Sequence, residues 1–133
     1  MADLVLTALT LEKARSEIDE ALIKAGVNTV LLIDGAGNVV ASCGYKSSKL
    51  DTTSLAALVA ANFGASSEIA RIIGEEDFSL LFHKGKKDSI HFARVSPDLI
   101  LITIFGDNVS LGLIRLRVAQ LSQAIQTIFE IGL

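Results

Sequence analysis

Residues 55–73, LAALVAANFGASSEIARII, constrain this chain more than any other stretch, because they read as a helix that is unusual on both faces. At about 100° per residue, Leu55, Leu58, Val59, Phe63, Ile69 and Ile73 gather on one side, the broad apolar stripe of a helix lying on a core. The opposite side carries Ala57, Ala60, Ala61 and Gly64 where a solvated helix shows Lys, Glu or Gln, and charge enters only at Glu68 and Arg71. Alanine is the best helix former and could be there for propensity alone, but glycine costs about 1 kcal/mol relative to alanine in a helix interior. Small side chains let another backbone come close. Two readings are open: an alanine-rich solvated face, since scattered apolar surface residues are ordinary, or a surface for protein contact.

A chain of 133 residues makes one domain, 1–133, long enough to bury a real core and too short for two. Hydrophobic residues make up 50% and charged residues 20%, with a mean hydropathy of +0.51, so apolar surface is left over that an oligomer would use. Unbroken apolar runs, such as 99–102, fall far below the ~18 residues of a membrane helix. The N-terminus lacks a basic region followed by a hydrophobic stretch. The expectation is a cytoplasmic protein without membrane insertion. Cys43 is the only cysteine, which excludes an internal disulfide and fits a reducing compartment. The net charge is −3, and no basic patch interleaved with aromatics speaks for nucleic acid.

Along the chain, Leu11, Ala14, Ile18, Ala21, Leu22 and Ala25 recur at helical spacing after Thr10, with Gly26 as a C-terminal stop. Residues 28–34 and 39–43 are β-rich and flank a turn of Gly35, Ala36 and Gly37. A polar loop over 45–50 leads to a cap at Asp51 or Thr52, and Gly74 closes the second helix. Strands are expected at 78–83 and 89–95, joined through Lys84, Gly85, Lys86, Lys87 and Asp88. Ser96, Pro97 and Asp98 turn the chain into 99–105, apolar enough for a sheet centre covered on both faces. After Gly106, Asp107 and Asn108, Ile114, Val118, Leu121, Ile125 and Ile128 mark a last helix running almost to Leu133. The order is helix, two strands, helix, three strands, helix. It predicts an α+β domain with a five-stranded antiparallel sheet, the first and last helices on one face and the central helix on the other. One helix cannot cover five strands, which again points to a partner.

Catalytic chemistry is hard to find. His83 and His91 could lie diagonally across a hairpin, but a third ligand is missing and Cys43 belongs to a different hairpin, so no metal is expected. Gly35 and Gly37 lead into a strand rather than a helix N-terminus, and no GxxxxGK[ST] motif occurs. Glu75, Glu76 and Asp77 read as a solvated loop, with nothing apolar nearby to raise one pKa for acid/base work. Lys84, Lys86 and Lys87 read as a soluble hairpin tip, and Arg115 and Arg117 as ion-pairing or interface residues. The expectation is no catalytic site, no cofactor and no enzyme. A ligand-sensing domain would need a polar-lined pocket, and no polar cluster in the sequence marks one.

The αββαβββα order, the central segment LAALVAANFGASSEIARIIGE, the hairpin LLFHKGKKDSIHFARV and above all LILITIFGDNVSLGLIRLRV resemble the roadblock/dynein light chain family, over roughly 11–129. Within that family the chain is similar to the bacterial MglB-type regulators of the small Ras-like GTPase MglA, which act in cell polarity and gliding motility. The resemblance implies a homodimer in which third strands pair across a two-fold axis and second helices lie side by side as a platform for the GTPase. By position it places the dimer strand on Phe78, Ser79, Leu80, Leu81, Phe82 and His83. It places the platform on Ala56, Ala57, Ala60, Ala61, Gly64, Ser67, Glu68 and Arg71. It further implies that the dimer stimulates GTP hydrolysis by rearranging the GTPase's own catalytic residues, without an arginine finger. The alternative is a non-activating roadblock scaffold using the same dimer and face. Some relatives continue beyond the position of Leu133, and an activity needing such a tail is not implied.

Overall fold

In the computed structural model, which describes residues 6–45, 47–76 and 78–131, the most apolar strand lies in the middle of a single sheet. The elements are α1 (Ala8–Ile18), β1 (Thr29–Asp34), β2 (Val39–Cys43), α2 (Thr52–Ile73), β3 (Leu80–Lys84), β4 (Asp88–Ser96), β5 (Leu99–Gly106) and α3 (Leu111–Ile131). The sheet order is β2-β1-β5-β4-β3, and every neighbouring pair is antiparallel. Side chains alternate between faces along β5, so Leu99, Leu101 and Phe105 join one core and Ile100 and Ile102 the other. The first core is closed by α1 and α3, the second by α2 alone. This is the expected α+β arrangement.

Local chemistry sets the helix ends. Thr7, not Thr10, caps α1: Thr7 Oγ1 accepts from the Thr10 N–H at 3.1 Å, and Thr10 Oγ1 accepts from the Thr7 N–H at 2.9 Å. Helix one changes to a π turn over Asp19–Ile23, with the Lys24 N–H donating to the Asp19 carbonyl at 2.9 Å. Ala14, Ile18 and Leu22 stand four apart and drift around an α-helix of 3.6 residues per turn. The wider turn returns Leu22 to the core, where all three are buried. Asp51 caps α2, its Oδ1 accepting from the Ser54 N–H at 3.1 Å, and Gly74 ends it in the left-handed region at φ 85°. In α3 the buried stripe ends on Phe129, with Ile128 at its margin.

Two expectations change. The third strand begins at Leu80 rather than Phe78, although the Ser79 carbonyl still accepts from the Arg94 N–H at 3.0 Å. More important, the face of α2 on the sheet is Ala56, Val59, Phe63, Ser66 and Ala70. Leu58, Ile69 and Ile73, assigned to the core by periodicity, are 69%, 53% and 63% exposed. The physical reason is closeness: the β1–β2 turn touches the start of α2, where a Cβ on Gly37 would come within 3.1 Å of the Ala57 Cα. A helix lying this near presents small residues to the sheet on either side of Phe63. Among the described helices α2 is also the one long and apolar enough, by length and composition, to cross a membrane, with 22 residues at a mean hydropathy of 1.2. Unbroken apolar runs do not reveal this, because polar residues interrupt the segment; here its buried face lies on the sheet.

At the far end of β4 the register shifts between Arg94 and Ser96. The Val95 carbonyl there accepts from Ser122 Oγ at 3.1 Å and Gln126 Nε2 at 2.5 Å, tying α3 to the bulge.

Candidate protein-docking face

The outer face of α2 carries a second apolar stripe that no other element covers among the described residues. Leu58, Ala61, Ala65, Ile69 and Ile72, spaced three, four, four and three apart, are all exposed, Ile72 by 77%. Beside it lie Ala57, Gly64, Glu68 and Arg71, also exposed. Arg71 Nε and Nη2 both donate to Glu68 Oε2, at 3.1 and 2.6 Å, so the only two charges on this face offset each other. A Cβ added at Gly64 would meet nothing within 4 Å. The glycine therefore serves no contact among the described residues, despite a helix cost of about 1 kcal/mol.

Of the positions named for the platform, Ala57, Ala61, Gly64, Glu68 and Arg71 lie on this outer face. Ala60 is half-buried at the edge of the α2 core, and half-buried Ser67 donates its hydroxyl to the Phe63 carbonyl at 3.0 Å. Ala56 is corrected: it is fully buried against the sheet and belongs to the core. Sequence reasoning misses Leu58, Ile69 and Ile72 as surface residues, because bulky apolar side chains read as core when a periodicity is centred on them. The heptad step linking Leu58, Ala65 and Ile72 is the signal that could have found them.

Strand β3 lies at one edge of the sheet whose face α2 covers. Among the described residues it pairs with β4 only, so its outer main-chain groups form a sheet edge, with Leu80 38% exposed. Phe82 stacks on Phe105 at 6.2 Å between ring centroids, and His83 meets Phe92 edge-on at 5.5 Å, which anchors the strand from both sides of the sheet. His91 is paired with Phe82 and not with His83, so the two histidines project to opposite faces. Cys43 sits half-buried on β2, its thiol pushed up by burial, far from nucleophile character. Glu75 and Glu76 are exposed beyond the end of α2, and Asp77 lies outside the described residues.

The exposed apolar stripe of α2 sits on a layered α+β domain, and the Roadblock/LC7 domain model matches residues 16–105 of the chain. The chain belongs to the roadblock/LC7 family. Among solved structures it is similar to Myxococcus xanthus MglB, at 36% identity over 94% of this chain and 93% of that one, with a TM-score of 0.84. It is also similar to the gliding protein MglB of Thermus thermophilus, at 28% identity over 96% of both chains and a TM-score of 0.85. A further structure, described as MglB with a tetrameric arrangement, matches at 27% identity over 100% of this chain and 99% of that one, with a TM-score of 0.89. These likenesses include α3, which lies beyond the family match. The roadblock fold is a regulatory one without catalytic machinery of its own.

Proposed function

We propose that the chain is a homodimeric, cytoplasmic regulator of a small Ras-like GTPase of MglA type, acting in cell polarity or gliding motility. It docks the GTPase on paired α2 helices and raises the rate of GTP hydrolysis. The observation that carries this reading is the second apolar stripe of α2, taken together with the edge of β3 that is unpaired among the described residues. Pairing of β3 with its symmetry mate through residues 78–83 extends the sheet and brings two copies of α2 together. Leu58, Ile69 and Ile72 then have a partner to bury them, each worth about 1.5–3 kcal/mol. Ala57, Ala60, Ala61, Gly64, Ser67, Glu68 and Arg71 leave a low, charge-balanced surface on which another backbone can lie. The likeness to MglB supports a GTPase of MglA type as the partner.

The test is GTP turnover by the MglA-type GTPase of the same organism, with the chain added at two protomers per GTPase. Stimulation is expected, together with its loss in Gly64→Arg, which places a bulky cation in the contact without touching the core. Normal stimulation by that variant would remove α2 as the platform. Binding without stimulation would move the chain to the non-activating scaffolds of the family.

A further inference from the structure

On the sheet face opposite α2, a cavity of about 220 Å³ opens between α3 and the β3–β4 hairpin. Leu80, Ala93, Val95 and Val118 give it aliphatic walls. Two nitrogen-bearing side chains meet there. His91 is 99% buried, and neither ring nitrogen has a hydrogen-bond partner among the described residues, a costly condition for a buried imidazole. Arg115, from the first turns of α3, brings the positive charge that faces it. Arg94 also borders the cavity, but its guanidinium lies 5.2 Å over the Phe63 ring on the α2 side of the sheet. No acidic side chain lines the space among the described residues.

These features define what would fit. Burial, and then the charge of Arg115, hold the imidazole pKa below its ordinary value, so His91 presents one N–H donor and one acceptor rather than a second cation. A cation would meet Arg115 unopposed. A doubly charged phosphate would lose much of its hydration against aliphatic walls without enough donors to replace it. A carboxylate carries a single charge, can take two parallel N–H donors from a guanidinium, and leaves an apolar body for the walls. A dry apolar cavity of about 150 Å³ accepts benzene, which sets the occupant here at roughly nine non-hydrogen atoms.

We propose that this cavity binds a small organic acid, its carboxylate held between the Arg115 guanidinium and the His91 imidazole and its apolar body lying against Leu80, Ala93, Val95 and Val118. The site is independent of the α2 platform. It stands beside the edge of β3, so its test uses the full chain in its own oligomeric state.

The chain has only two histidines, and His83 on the other face is a built-in control. Imidazole resonances are followed by NMR while benzoate is titrated in, with benzamide and inorganic phosphate as comparison probes. Benzoate is expected to shift the His91 signals saturably and leave those of His83 in place. Benzamide and phosphate are expected to bind at least tenfold more weakly. Arg115→Gln, on an exposed side chain, should weaken benzoate at least tenfold, and Ala119→Leu, at the exposed rim of the cavity, should abolish the shift while the His83 signals stay native. A shift that does not saturate overturns the proposal. So does equal binding of benzamide or phosphate, or unchanged affinity in Arg115→Gln.

Discussion

Ala56 and Ala61 are the same residue type on one helix, and their environments make them opposite probes. Ala56 is fully buried against the sheet, so Ala56→Leu overpacks a closed space and should destabilise the fold by about 1–3 kcal/mol in urea unfolding. Ala61 is exposed, so Ala61→Arg should leave unfolding within about 0.5 kcal/mol of the parent and instead abolish GTPase binding, measured by titration of the labelled GTPase. Gly37 combines two constraints: φ of 92° and a Cβ position 3.1 Å from the Ala57 Cα. Gly37→Ala should therefore lose about 1–3 kcal/mol through left-handed strain and the clash with α2. Its neighbour Asp34 gives a pH signature. Burial raises its pKa, but hydrogen bonds from Asn38, Ala36 and Gly37 outweigh this and hold it below the ordinary value of 3.8. A carboxylate depressed in the folded state contributes stability that is full above its unfolded pKa and lost as pH falls through the folded one. Asp34→Asn should flatten the acid limb of the stability curve below pH 3.8 and be measured by thermal melts across that range.

At the scale of the element, α2 works as two helices in one. Its inner stripe is made of small residues around Phe63, because the helix lies close to the sheet and to the β1–β2 turn. Its outer stripe keeps the bulk. Leu58→Glu with Ile72→Glu places charge at both ends of that outer stripe and none in the core. The double variant should stay folded by circular dichroism and run as a monomer in light scattering. A stable dimer from it would show that α2 contributes little to self-association. Strand β3 supplies the complementary element, an edge strand of five residues anchored by Phe82 and His83 and unpaired on its outer side among the described residues.

For the whole molecule, the expected solution species has twice the mass of the 14.1 kDa chain at micromolar concentration, read by light scattering. In the proposed dimer, association would rest on apolar burial and main-chain pairing, with the Glu68–Arg71 pair already satisfied within the protomer. Raising salt from about 0.05 to 0.5 M should therefore change the dimer mass fraction little. A steep loss of dimer with salt would point to charged contacts instead. The two proposed surfaces lie on opposite sides of one sheet: the outer face of α2 and the cavity between α3 and β4.

The order and class of the elements were legible from the residues, because caps, glycines and apolar periodicity are local. Asp51, Gly74 and the near-continuous apolar run of β5 needed no tertiary information to be read. Nor did the resemblance carried by the central helix and the last strand. The sequence alone could not set the phase of α2. Periodicity ranks side chains by apolarity, whereas a closely packed sheet also selects by size, and that choice moved Ala56 and Ala70 inward and Leu58 and Ile69 outward. Nor could it bring His91 and Arg115 together. They stand 24 positions apart, on a strand and a helix, and share one cavity only because the β4 bulge and its Val95 carbonyl fasten α3 across that face of the sheet.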